Sequence, residues 1–167
     1  MKGEQYQNMS GYFSQTKVRS NTIKALHDVL PLVMYIFYPL QLVALLISHG
    51  WQDEAFLRFS LIPLGTFIIV TVLRAIINAQ RPYEKYNYTP VVFKATQGKS
   101  FPSRHTVSAF IIAMAFLYIN MTVGIIMLGV AAAIAVIRVL SGVHFIRDVV
   151  SGAAIGVIVG ILGFFVF

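Results

Sequence analysis

An all-α fold, a polytopic transmembrane helix bundle with about five spans plus an N-terminal interfacial helix, is predicted by three features of this sequence. Of its 167 residues 57% are hydrophobic and only 11% charged, and the mean hydropathy is +0.76, far from the composition of a soluble domain. Apolar runs are spread from residue 30 to residue 167, and they are solidly apolar, where a transmembrane barrel would alternate polarity over segments of ~10 residues. The few charges that interrupt these runs gather at their ends, where membrane helices meet the interface.

Composition also excludes whole classes of function. There are no cysteines, so disulfides, thiolate chemistry and cysteine metal ligands fall away. A formal charge of +7 would suggest nucleic acid in a soluble protein. In a membrane chain the partner is the anionic lipid bilayer, and no nucleic acid is expected. Residues 1–29 are polar and carry no cleavable signal pattern.

The chain divides into an N-terminal part, residues 1–29, and a membrane domain, residues 30–167. Residues 1–20 are Gln- and Ser-rich without clear period and read as a loose or interfacial arm. From Ile23, apolar residues Leu26, Leu30 and Val33 recur at three- and four-residue spacing opposite Lys24 and Asp28, the pattern of an amphipathic helix at the headgroups before the chain turns inward. The first span covers about 30–48 and tolerates Pro31 and Pro39. A polar turn, residues 49–54, leads to the second span, about 55–79, which Pro82 terminates. Residues 83–101 form a loop rich in Tyr, Lys and Thr. No charge occurs over residues 106–137, which as one helix would measure roughly 48 Å against a core of ~30 Å. The stretch must therefore fold back, and the polar punctuation at Asn120 and Thr122, with Gly124, places a hairpin between spans of about 104–119 and 123–140. The fifth span, about 148–167, carries Gly152, Gly156 and Gly160, a small-residue stripe for close helix packing.

This connectivity puts the end of span two, the start of span three, the end of span four and the start of span five on one side of the membrane. Those ends carry Arg74 and Arg81, then Ser103, Arg104 and His105, then Arg138, then His144 and Asp148. Several guanidiniums call for a dianionic or polyanionic group, and phosphate matches their fork geometry. Ser103 and the backbone N–H groups beside it, at a helix N-terminus after Pro102, supply further oxyanion donors. His144 and Asp148, four apart, share a helix face, so the carboxylate can orient an imidazole. Two histidines can divide phosphoryl transfer, one attacking phosphorus and the other protonating the departing oxygen. A metal would sit as a cation among cations, so neither a metal nor another cofactor is expected. His27 and His49 read as interfacial residues, Lys85, Lys94, Lys99 and Arg147 as interfacial charges, and Tyr83, Tyr86 and Tyr88 as an aromatic belt.

Arg74-x6-Arg81-Pro82, Pro102-Ser103-Arg104-His105 and Arg138-x5-His144-x3-Asp148 resemble, in order and spacing, the three signature motifs of the type 2 phosphatidic acid phosphatase superfamily. The family's motifs normally have lysine where Arg74 stands, glycine where Arg104 stands and serine where Ile137 stands. The resemblance implies that His144 is the nucleophile forming a phosphohistidine, that Asp148 orients it, and that His105 is the acid for the leaving group and then the base for water. It also implies that Arg74, Arg81, Ser103 and Arg138 bind phosphoryl oxygens with the backbone N–H of Arg104, without a metal. The side chain of Arg104 either meets a second phosphate or reaches the headgroups.

The expected activity is a multi-pass cell-membrane lipid-phosphate phosphatase. Its substrate is an isoprenyl diphosphate such as undecaprenyl diphosphate, phosphatidylglycerophosphate or phosphatidic acid. The resemblance puts the site on the exoplasmic face, whereas Lys2, Lys17, Arg19 and Lys24 pull the arm's side toward the cytoplasm. A phosphotransferase of the same family and an anion transporter or channel without hydrolytic activity are the alternatives.

Overall fold

The computed structural model describes residues 3–95 and 97–167, all helix, turn and loop. Seven α-helices follow one another: α1 (Gly3–Ser14), α2 (Lys17–His49), α3 (Glu54–Ile77), α4 (Pro82–Tyr86), α5 (Arg104–Ile119), α6 (Met121–Leu140) and α7 (Ile146–Ile161), which runs into a π-helical turn at Leu162–Val166. By length and composition α2, α3, α6 and α7 with its terminal turn can each cross a bilayer, and α5 is a shorter apolar helix. These five are the expected spans.

The helices obey local signals. Thr16 caps α2 by accepting from the Arg19 N–H, and Asp53 caps α3 through the Phe56 N–H. Asn120 alone forms the hairpin, ending α5 and capping α6 through the Val123 N–H at 3.0 Å. Outward faces of α2 and α3 are apolar and exposed, Ile36, Leu40, Ile47, Leu61 and Ile69 among them, as surfaces in contact with lipid tails must be.

α5 is the axis of the bundle. Its residues Ala109, Ile111, Ala113, Ala115 and Phe116 are no more than 3% exposed and form the centre of the main core with Met34, Phe59, Ala131 and Ile134. The small-residue stripe of α7 allows a close approach to α5. A Cβ at Gly156 would lie 2.7 Å from Phe110 Cβ and 3.0 Å from the Val107 carbonyl, and one at Gly160 would lie 2.6 Å from Met114 Cβ. The glycines are thus packing devices, as expected.

The N-terminal part differs from the sequence reading in detail. A helix does precede the spans, but it is α1, within the stretch read as a loose arm. The stripe from Ile23 to Val33 belongs to the long helix α2, which passes residue 30 without turning. Nothing in 17–49 breaks the helix, because the prolines at 31 and 39 each remove one donor and a membrane helix tolerates that. The reason α1 forms is tertiary. Tyr6 is 2% exposed, packs edge-on against Phe145 and stacks near Tyr86. Its hydroxyl accepts from the Ile146 N–H at the start of α7.

Candidate active site

A cavity of about 330 Å³ opens where α3 ends, α5 and α7 begin and α6 ends, lined by Arg74, Arg81, Lys94, Lys99, Arg104, His105, Arg138 and His144 with Thr71, Ala75 and Val143. Six of the eight expected site residues thus share one wall. The other two, Ser103 and Asp148, are fully buried behind it.

Each element delivers its residue for a local reason. Arg74 lies in the last turn of α3, where its NH1 donates to the Pro102 carbonyl at 2.5 Å and its NH2 to the Lys99 carbonyl. Arg81, capping α4, donates from NH1 to the Val143 carbonyl at 3.2 Å. Glu84 ties that corner together by accepting from the Arg81 N–H and the Gly98 N–H. Ser103 is the N-cap residue of α5. Its N–H donates to the Asp148 carbonyl at 2.9 Å, and its hydroxyl accepts from Thr106 Oγ1. The turn between α6 and α7 passes through Gly142 at φ +80°, a left-handed conformation that suits glycine and lets the chain present His144.

Behind the nucleophile candidate lies a carboxylate relay. His144 Nδ1 is 3.5 Å from Asp148 Oδ2, and Ser100 Oγ stands beside both, donating to that oxygen at 2.5 Å and 3.4 Å from Nδ1. The same Oδ2 accepts from the Phe145 N–H. With Nδ1 turned to this relay, Nε2 is the ring nitrogen left for chemistry. Burial lowers the His144 pKa to about 4; the contact with Asp148 opposes that and Arg81 adds to it. The ring is neutral at pH 7, and a neutral imidazole is the form that attacks.

The charge balance is one-sided. Among the described residues six cationic side chains face the cavity and no carboxylate does. Among the described residues the ion pairs are Arg58 with Glu54, His144 with Asp148 and Arg147 with Asp148, so none neutralises a cation of the wall. Burial, with Arg138 and Arg81 close by, also lowers the pKa of the Lys94 ammonium.

Sequence reasoning missed four participants. Lys94 and Lys99, read as interfacial charges, line the cavity, because the 83–101 loop folds inward over it; Tyr83 Oη donates to the Lys94 carbonyl. Ser100 carried no signal of its own beyond its place two residues before Pro102. His27, read as interfacial, is 2% exposed and bonded to Arg138. Of the three tyrosines read as a belt, Tyr83 is buried and Tyr86 packs with Tyr6 and Phe145. His49 and Lys85 stay at the exposed periphery, and Arg147 lies over the Phe145 ring.

The chain is similar to known proteins. Residues 55–167 match the model of the PAP2 superfamily. The bacitracin transport permease protein BcrC of Bacillus licheniformis is 28% identical over 129 residues, 75% of this chain and 62% of the relative, so the match spans under two thirds of that protein's length. The crystal structure of Aquifex aeolicus LpxE superposes with a TM-score of 0.72 at 24% identity, covering 96% of this chain and 92% of that one. The transmembrane PAP2-type phosphatidylglycerolphosphate phosphatase of Bacillus subtilis also gives 0.72, at 19% identity over 95% and 82%. At these identities the two structures speak to the fold. With three motifs in register on one cavity wall and a family match over most of the chain, this protein belongs to the PAP2 superfamily.

Proposed function

We propose that the protein is an integral membrane lipid-phosphate phosphatase that works through a phosphohistidine on His144, with a lipid diphosphate as its preferred substrate. The observation that carries this reading is the cavity wall, six cations and two histidines with no opposing carboxylate. One phosphoryl group occupies Arg74, Arg81 and Arg138 as fork donors. Lys94, Lys99 and Arg104 remain for a second phosphate.

In the first step His144 Nε2 attacks phosphorus. The P–O bond to the leaving group breaks as the N–P bond forms, and His105 gives its proton to the departing oxygen. In the second step His105 takes a proton from water, whose oxygen displaces His144 and releases inorganic phosphate. Asp148 and Ser100 hold the imidazole in the tautomer with Nδ1–H. No step draws on a metal ion.

A second cavity supports the lipid part of the reading. About 350 Å³ in volume, it shares Arg104 and His105 with the first and is otherwise lined mainly by Tyr35, Tyr38, Leu64, Phe67, Ile111 and Ile112. An apolar groove joined to a cationic one suits a molecule with a hydrocarbon chain and a phosphate head. The site is assigned to the exoplasmic face, and labelling of cysteines introduced near Gly98 in intact cells tests that.

The deciding experiment is phosphate release by purified protein from lipid monophosphates and diphosphates, in the presence of a chelator. Release from the diphosphate that His144→Ala lowers by at least ~10³-fold is expected. Anion flux that survives His144→Asn, without phosphate release, would overturn the enzyme in favour of a channel, and transfer to a lipid acceptor instead of labelled water would make it a transferase.

A further inference from the structure

We infer that His27 is a positioning residue that holds Arg138 in its phosphoryl-binding pose, an inference that rests on the phosphatase reading above. His27 and Arg138 are each 2% exposed, 111 residues apart in sequence. Arg138 NH1 stands within hydrogen-bond distance of both His27 ring nitrogens, nearer to Nε2 and 3.3 Å from Nδ1; with Nε2 accepting from the guanidinium, the ring proton is on Nδ1. That nitrogen lies 3.2 Å from Ser141 Oγ, and the Ser141 hydroxyl donates back to the Arg138 carbonyl at 3.2 Å. Arg138 NH2 also donates to the His27 carbonyl at 3.4 Å. The circuit starts and ends on Arg138.

The chemistry explains why an imidazole stands there. A long guanidinium carries substantial rotamer entropy, so aiming it at a phosphoryl oxygen requires an anchor. A carboxylate would supply one and cancel the charge that binds substrate. A neutral ring nitrogen and a peptide carbonyl fix the group and leave its charge intact, as carbonyls do for Arg74 and Arg81. Arg138 is the one guanidinium of the three anchored by a side chain. That side chain belongs to α2, outside the family-matched residues 55–167, so the N-terminal part of the chain completes a site whose motifs lie elsewhere.

The test is a double-mutant cycle on purified full-length protein, reading phosphate release from a lipid diphosphate and competitive inhibition by inorganic phosphate. His27→Ala should lower kcat/KM by about 10- to 100-fold and weaken phosphate inhibition in parallel. His27→Gln, whose amide oxygen can accept from the guanidinium, should recover most of both. In an Arg138→Ala background His27→Ala should change kcat/KM by less than about twofold, as expected when one residue acts only through the other. If His27→Ala fails to fold, His27→Phe keeps the ring's bulk without the acceptor and takes its place in the cycle. Losses that multiply in the double variant, or His27→Gln no better than His27→Ala, overturn the role of His27 alone. Wild-type protein that releases no phosphate from any lipid phosphate overturns the phosphatase reading and the role of His27 with it.

Discussion

The Ser100 hydroxyl donates to Asp148 Oδ2 at 2.5 Å while lying 3.4 Å from His144 Nδ1. A hydroxyl, a carboxylate and an imidazole therefore form one buried triangle. Asp148 holds its place by accepting from Ser100 and from the Phe145 N–H. Replacing Ser100 by alanine removes one of these donors from a buried carboxylate, which costs about 1–3 kcal/mol. Ser100→Ala is expected to lower thermal stability and kcat together with little change in KM, while Asp148→Asn, which leaves the ring without its counter-charge, lowers kcat more. Steady-state kinetics and melting in detergent check both.

The pH profile should be displaced toward acid. Burial sets the His144 pKa in the fold to about 4, against a reference value of 6.5. In the proposed mechanism the neutral ring attacks, so the acid limb that His144 contributes to kcat/KM is expected well below pH 6. For stability the sign is the same. The unfolded chain takes up a proton below its ordinary value and the folded ring resists it, so this contribution is complete above about pH 6.5 and is lost as pH falls toward 4. Protonation of the His144 ring at or above pH 6.5, followed by NMR of the labelled imidazole in the folded protein, would contradict this.

Substrate preference should depend on the second group of cations. Lys94→Ala or Arg104→Gly is expected to reduce kcat/KM on a lipid diphosphate by about 10- to 150-fold, on the scale of a charged hydrogen bond of about 1.5–3 kcal/mol. Turnover of a lipid monophosphate should change far less. Equal losses on both substrates would place these side chains on the reacting phosphate instead.

Helix spacing offers a structural check. A side chain at Gly156 meets Phe110 Cβ at 2.7 Å and the Val107 carbonyl at 3.0 Å, so Gly156→Leu should push α7 off α5. Because Asp148 rides on α7 and His105 on α5, activity is expected to fall by more than ~10²-fold along with a lower melting temperature. Gly129→Ala, at a position with open space around it, should do neither.

Much of this was legible in the chain. Hydropathy located the five apolar helices, and Asn120 marked the hairpin within a residue or two, since a polar residue inside an apolar stretch has few other uses. The motif spacings brought Arg74, Arg81, Arg104, His105, Arg138 and His144 to one wall because each sits at a helix end. What stayed hidden depends on contacts distant in sequence. His27 looks interfacial on its own helix, and only the arrival of Arg138 and Ser141 makes it a partner. Lys94 and Lys99 lie in a loop whose inward fold is fixed by Glu84 and the Gly98 N–H, neither of which has a periodic signature. α1 carries little hydrophobic pattern and forms because Tyr6 finds Phe145 and Tyr86.

The guanidiniums of Arg74 and Arg81 are tethered to peptide carbonyls rather than to acids. Dipoles can orient a cation, but they do not cancel it, so this wall keeps a charge that draws anions from the medium. On the proposed reading small anions compete with the substrate phosphate, and the identity of the buffer salt, as well as its concentration, is expected to be a variable of the rate.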